Sequence, residues 1–277
     1  MSEIRALVRD PSTLPAGALP DDTRIKLLAG DCTDASSMAT HAAGAEGIFF
    51  AASGRNWEQA QAVDRDGVAV VANAAKAAAV RRVLLISSQL VHPDNRWHPI
   101  RGMLNTIVTG PFHTQGLMDF KYEGENLLRT SGQEYTICRP GRLNDGPLGN
   151  AKICLAQLNA SFRAGGGSTR ADVAATCVVA MMAGATGAAN TTFEMDCEKP
   201  TTEGGPAADV PTPALFETRD MVTEGSCRTP PSRPRLAPAR LSRMSEPVKV
   251  VCACPNLSKW FAHVRTCQSG LRVPEPV

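Results

Sequence analysis

Lys121 and the serine pair Ser87-Ser88 are the side chains whose types and positions best fit a chemical role. Lys121 comes early in the amphipathic stretch 117–129. It can donate to hydroxyl groups of a bound molecule, or it can pair with Glu125 one helical turn further on. The two serines end an apolar run, where their hydroxyls can bind a ligand or satisfy the end of a strand.

These side chains sit within a regular alternation of strand and helix patterns over residues 4–197. The predicted strands are 4–8, 25–29, 47–52, 82–88, 135–139 and 192–195. The predicted helices are 35–43, 59–79, 117–129 and 171–182. Short, continuously apolar strands are typical of buried parallel sheets. Their alternation with helices predicts an α/β, Rossmann-like parallel sheet with helices on both faces.

Small and polar residues follow several predicted strands, at the edge where open α/β sheets bind ligands. Arg9 either accommodates a 2′-phosphate, which favours NADP over NAD, or is simply solvated. Asp31, followed by Cys32, either accepts from an adenine amino group, or Asp31 or Asp34 simply caps the next helix. Ala51-Ala52 and Pro140-Gly141 are small or turn-forming, so that a ligand can approach the backbone closely or the chain can turn tightly.

The pattern begins at what should be the second strand of a dinucleotide-binding domain. A complete domain places a strand, a glycine-rich turn and a helix, roughly thirty residues, before it. That turn holds the cofactor pyrophosphate at a helix N-terminus. Only Met1–Glu3 precede the pattern here. We therefore expect an N-terminally truncated domain, whose second and fourth strands face each other across a gap or pair directly.

Composition narrows the classes of function. The 277 residues carry a net charge of +2 and are 43% hydrophobic, which gives no reason to expect nucleic acid as a partner. No stretch reaches the roughly 18 apolar residues that span a bilayer. Nine cysteines are scattered, and the first five lie in apolar or strand-like segments. We expect these five to be buried, reduced thiols in an intracellular protein, and we predict no metal site.

A change of composition near residue 200 divides the chain into two parts. Residues 1–199 are assigned to the NAD(P)-binding domain. Residues 200–277 are rich in proline and arginine and are predicted to be a largely disordered tail. The alternative is a basic segment that binds a protein partner.

Six pieces of sequence, in this order and spacing, resemble the atypical short-chain dehydrogenase/reductases of the NmrA-like NAD(P)-binding group. They are residues 5–11, 30–34, 80–88, 121–125, 131–141 and 169–174. Segment 95–100, together with 117–119, is most similar to plant and algal members, many of which are chloroplast proteins. The resemblance leaves cytoplasm and chloroplast open as compartments.

The resemblance implies NADP(H) as the ligand, with Arg9, Asp31 and Pro140-Gly141 in the roles given above. Cys32, Ala51, Ala52 and Ser87 would lie along the same cofactor. Lys121 would bond the nicotinamide-ribose hydroxyls, and Ser88 would polarise a substrate carbonyl or quinone oxygen.

Two positions depart from that family pattern. Leu117 stands where active members carry a catalytic tyrosine, and Gln89 stands near their catalytic serine. Three functions therefore remain open: an NADP(H)-dependent oxidoreductase acting on an unknown small molecule, a non-catalytic NADP(H)-binding redox sensor, and a remnant that binds no nucleotide.

Overall fold

The structure is a computed structural model that describes residues 3–149, 151–157, 159, 167–181 and 188–198, and the backbone of 249–253. Its strands are β1 (Glu3–Val8), β2 (Ile25–Ala29), β3 (Gly47–Phe50), β4 (Arg82–Ile86), β5 (Tyr135–Pro140), β6 (Leu143–Asn144), β7 (Ile153–Ala156), β8 (Ser168–Thr169), β9 (Thr191–Cys197) and β10 (Lys249–Ala253). Its α-helices are α1 (Ala35–Ala42), α2 (Trp57–Gln59), α3 (Val68–Ala77), α4 (Pro99–Thr109), α5 (Leu117–Thr130) and α6 (Arg170–Met181). A π-helical segment, Ala60–Gly67, joins α2 to α3.

Eight strands form one sheet in the order β2-β1-β10-β3-β4-β5-β9-β7. All neighbours are parallel except β7, which runs antiparallel to β9. Strands β6 and β8 form a separate parallel pair. The six strands from β2 to β5 follow the doubly wound order 3-2-1-4-5-6, with β10 in the central place. The predicted α/β, Rossmann-like fold is confirmed.

Strand β10 occupies the place where the sequence analysis expected a gap or a direct pairing. It pairs with β1 from Glu3↔Lys249 to Leu7↔Ala253 and with β3 from Val250↔Gly47 to Ala253↔Phe50. Five residues assigned from composition to the tail are thus the third of the eight strands, in the central place of the doubly wound order. The rest of segment 199–277 lies outside the described residues.

Each face of the sheet carries its own apolar core because alternate strand residues point to opposite sides. In β3, Ile48 and Phe50 join one core and Phe49 joins the other. The first core packs α1, α3 and α5 against the sheet through residues such as Met38, Val71 and Leu128. The second packs α6 through residues such as Val173 and Cys177. Helices therefore cover both faces, as the continuous apolar strands predict.

Several elements differ from the sequence prediction. Strands β3 and β4 end at Phe50 and Ile86, so that Ala51-Ala52 and Ser87-Ser88 follow the strands. Helix α4 fills part of a connection in which no helix was predicted, with Pro99 in its first turn and the His98 side chain accepting from Ile100 N. None of the helices in the described part of the chain is long and apolar enough to cross a membrane.

Four of the five cysteines expected to be reduced are free, and three of those four are buried. The free thiols are Cys32, Cys138, Cys177 and Cys197. Cys32 is only partly buried. Cys154 is disulfide-bonded, so the prediction of a reduced thiol was wrong for this residue.

Candidate functional site

Lys121 and Asp64 form the central ion pair of the candidate site. Lys121 Nζ lies 2.7 Å from Asp64 Oδ1, and the two side chains are 12% and 1% exposed. The other oxygen of the same carboxylate, Oδ2, accepts from Gly54 N at 2.8 Å. The alternative pairing of Lys121 with Glu125 was wrong, because Glu125 is bound to Arg139 and Arg129.

Two glycines let the backbone segments approach closely enough to make this pair. A Cβ at Gly124 would lie 2.0 Å from Asp64 O, and a Cβ at Gly54 would lie 2.2 Å from Ala60 N. Both distances are far below any side-chain contact, and backbone atoms cannot swing away. Helix α5 therefore rests directly on the π-helical segment, and the turn after β3 rests on the start of that segment. Lys121, one turn before Gly124, consequently reaches Asp64.

Ser87 shares a narrow crevice with this ion pair. The crevice has an empty volume of about 170 Å³ and no room for a water molecule; its lining residues are Phe50, Asp64, Val68, Leu85, Ile86, Ser87 and Lys121. Ser87 Oγ is buried and makes no hydrogen bond of 3.5 Å or less to the described residues, but it lies near enough to the Glu125 carboxylate to help lower the pKa of that group. Ser88, the next residue, is partly exposed. Of the two catalytic candidates of the sequence analysis, Lys121 lines this crevice and Ser88 does not.

Arg9, Asp31 and Cys32 meet at the carboxyl edge of β1 and β2. Burial, with the negative charges of Asp31 and Asp64, raises the pKa of the Cys32 thiol to about 12, and Arg9 partly offsets this. The Cys32 thiol is therefore near both Asp31 and Asp64. The residues after β2 and the Asp64–Lys121 pair consequently lie at the same end of the sheet. Arg9 itself is exposed.

Asp31 uses its carboxylate to shape the local turn. Its Oδ1 accepts from Thr33 N at 2.9 Å and from Thr33 Oγ1 at 2.8 Å. The cap of α1 is Asp34, whose side chain accepts from Ser36 N. Asp31 is therefore not the cap of α1. Its Oδ2 accepts no hydrogen bond from the described residues.

Pro140-Gly141 ties two strand ends together. Gln89 N donates to Pro140 O at 3.0 Å, and Gly141 N donates to Met195 O at 2.9 Å. Since both groups are used within the fold, this turn offers close approach rather than free backbone donors. Ala51 is partly buried and Ala52 is buried. Both follow β3, which is separated from β5 by β4 alone.

A buried charge network lies next to Ser87, and sequence reasoning missed it. Arg139 binds Glu125 through Nε–Oε1 at 2.9 Å and Nη2–Oε2 at 2.6 Å, and Glu194 through Nη1 at 2.9 Å. All three side chains are at most 2% exposed. The signal in the sequence was an arginine and a glutamate beside apolar residues within two strands, Arg139 in β5 and Glu194 in β9.

The network sets the ionisation of its members. Burial alone would raise the pKa of Glu125, but the hydrogen bond and charge of Arg139, with Arg129 and Ser87, outweigh it and hold that pKa below its usual value. Burial would likewise lower the pKa of Arg139, but Glu125 and Glu194 raise it. Glu125 and Arg139 are therefore both charged at neutral pH, and the network fixes α5 to β5 and β9.

Leu117, which the resemblance aligns with a catalytic tyrosine, is 8% exposed and packs with Phe120 and Val91. The neighbouring Tyr122 lies edge-on to His92, with ring centroids 5.3 Å apart. Successive helix residues lie about 100° apart, so Tyr122 does not share the side of α5 that carries Lys121. None of the described residues that line the crevice is a tyrosine.

The sequence of most of the fold matches a known family. A sequence profile described as NAD(P)H-binding covers residues 2–183. The chain belongs to this NAD(P)H-binding family. It is also 26% identical over 147 residues to "Uncharacterized sugar epimerase YhfK" of Bacillus subtilis, and this match covers 52% of the chain. The chain spans 60% of the length of that relative.

Solved structures share the fold. The oxidoreductase ylbE of Lactococcus lactis is 19% identical with a TM-score of 0.55, over 72% of this chain and 81% of that one. A short-chain dehydrogenase/reductase of Veillonella parvula, solved in complex with NADP, is 20% identical with a TM-score of 0.52, over 74% and 85%. At such identities the likeness is one of fold.

Proposed function

We propose that the protein is an NADP(H)-dependent oxidoreductase of the atypical short-chain dehydrogenase/reductase type, in the NmrA-like group. The observation that carries this proposal is the Lys121–Asp64 pair at the carboxyl end of the sheet. An ammonium has three N–H donors, and Asp64 accepts one of them. The remaining donors suit the two hydroxyls of the nicotinamide ribose.

The surrounding residues fit a dinucleotide on grounds of their own. Ser87 lines the same crevice as Lys121 and Asp64, and its hydroxyl is a second hydrogen-bonding group just after β4. Asp31 Oδ2 is available to an adenine amino group, and Cys32 stays a neutral thiol beside it. Ala51-Ala52 and Pro140-Gly141 are small or turn-forming, so that no large side chain from these positions obstructs a cofactor between Asp31 and Ser87.

Arg9 supports NADP(H) rather than NAD(H). Strand β1 holds the second position of the doubly wound order, and the residue after that strand is the one that meets the 2′ position of the adenosine ribose. An exposed arginine there suits a 2′-phosphate, whereas an acid would suit the free hydroxyl.

In this mechanism the bound cofactor supplies hydride transfer. Lys121, held by Asp64, orients the ribose, and Ser88 donates a hydrogen bond to the carbonyl or quinone oxygen of the substrate. Leu117 offers no proton, so the proton reaches the product from another group or from solvent.

Leu117 also favours a second candidate function, that of a redox sensor. A buried apolar residue in place of the family's general acid suits a protein that binds NADP(H) without turnover and reports its redox state to a partner. Such a sensor must bind NADPH and NADP⁺ with unequal affinity.

Titrations of the wild type, Arg9→Ala and Lys121→Met with NADPH and NADH test the proposal. Loss of one charge-assisted phosphate contact should weaken NADPH binding about tenfold and leave NADH unchanged in Arg9→Ala. Lys121→Met should weaken both cofactors. Equal effects of Arg9→Ala on the two cofactors would contradict the assignment of NADP(H). NADPH oxidation with a panel of quinones and carbonyls then separates the enzyme from the sensor.

A further inference from the structure

Strand β10 is central in space but remote in sequence. Its neighbours β1 and β3 lie within the first 50 residues, whereas β10 follows β9 only after segment 199–248. Both edges of β10 are paired, to β1 through five residue pairs and to β3 through four. The sheet is therefore continuous only when this one late segment is in place.

Withdrawal of β10 would open the sheet at its middle. Neighbouring strands are about 4.8 Å apart, so β1 and β3 would face each other across roughly 10 Å with unpaired backbone groups. The residues along these edges are among the most buried in the molecule; Ala6 is 0% exposed and Phe49 is 4% exposed. The docked strand thus protects both cores.

The strand also ends beside the candidate cofactor site. Ala253 is level with Leu7 of β1 and Phe50 of β3. Arg9 follows the first of these strands and Ala51-Ala52 follow the second. In a doubly wound sheet, a dinucleotide crosses the carboxyl end of this central strand.

We propose that β10 is a separable strand whose docking between β1 and β3 completes the NAD(P)H site, so that strand docking and NAD(P)H binding are thermodynamically coupled. This inference rests on the proposed function. If NADPH binds only the form with β10 docked, then NADPH must tighten the hold on β10 by the factor by which docking favours NADPH.

Cutting the chain between β9 and β10 tests the coupling directly. A recognition sequence for a site-specific protease is inserted after Gly225, and the full-length protein is cleaved. The disulfide of Cys154 is then reduced with dithiothreitol, so that no covalent bond holds the fragment, and the cut protein is passed over a size-exclusion column with and without NADPH. We expect the fragment that carries β10 to stay with the domain, and NADPH to slow its release at least tenfold. Release at the same rate with and without NADPH would overturn the coupling, as would immediate release from a domain that still binds NADPH normally.

A proline pair gives a second readout in the uncut chain. Val251→Pro removes a ladder N–H from the middle of β10, and we expect it to weaken NADPH binding at least tenfold. Ala239→Pro, outside the strand, is the matched control and should change the affinity less than twofold. Equal affinities for the two variants would overturn the inference. If the uncut wild type binds no NADPH, the proposed function fails and the coupling with it, while co-elution of the cut fragment still reports whether β10 docks.

Discussion

Asp64 is the residue on which the candidate site depends, because it holds both Lys121 and the turn after β3. Replacing it by asparagine leaves the Lys121 ammonium without a counter-charge in a mostly buried place. We expect Asp64→Asn to lower the free energy of unfolding by about 3 kcal/mol, measured by urea denaturation.

Asp66 provides the control on the same segment. It is exposed and pairs with Arg65 at the surface, and Asp66→Asn should change stability by less than about 0.5 kcal/mol. Equal losses in the two variants would contradict the structural role given to Asp64.

Cys32 offers a chemical test of the same neighbourhood. With its pKa raised to about 12, its thiolate fraction at pH 8 is on the order of a thousandfold below that of an ordinary cysteine, whose pKa is about 8.5. We expect alkylation of Cys32 by iodoacetamide, followed by peptide mass mapping, to be slow in the folded protein and fast in urea. Rapid labelling of Cys32 in the folded protein would show that it does not lie among these carboxylates.

The packing of α5 on the π-helical segment makes a prediction that runs against helix propensity. Alanine is favoured over glycine within a helix by about 1 kcal/mol, yet Gly124→Ala would place Cβ 2.0 Å from Asp64 O. We expect this variant to be destabilised and to bind NADPH more weakly, because α5 must move and carry Lys121 with it.

The matched control is Gly102→Ala in α4, where nothing lies within 4 Å of the added Cβ. This variant should be neutral or slightly stabilised. Thermal unfolding of the two variants compares them, and a stabilised Gly124→Ala would show that the close contact between the two helical segments does not exist.

The Glu125–Arg139–Glu194 network joins α5 to β5 and β9 and predicts how stability varies with pH. The folded pKa of Glu125 lies below its unfolded value of about 4.3. Its stabilisation is therefore fully present above that pH and is lost as pH falls through the folded pKa. We expect Glu125→Gln to be less stable than wild type at pH 7 and to lose less stability between pH 5 and pH 3. Parallel curves of unfolding free energy against pH would contradict this.

For the molecule as a whole, the sequence predicted those strands and helices that a local pattern of residues determines. It did not predict the contacts between segments that are distant in the sequence. Apolar runs and their spacing predicted the strands that became β1 to β5 and β9, since a buried parallel strand needs little beyond such a run. The same rule could not place Lys249–Ala253, because this single short apolar run lies after a stretch rich in proline and arginine and its partners lie more than 200 residues earlier in the chain. The Asp64–Lys121 pair also escaped prediction, since it depends on two glycine contacts between segments.

The most direct measurement of the central claim is calorimetric titration of the intact 277-residue protein with NADPH. We expect saturable binding of one NADPH per chain in the micromolar range, with NADH binding more weakly because it lacks the phosphate that Arg9 would meet. No binding of either cofactor to a protein shown by circular dichroism to be folded would contradict the account and leave a Rossmann-like fold without its ligand.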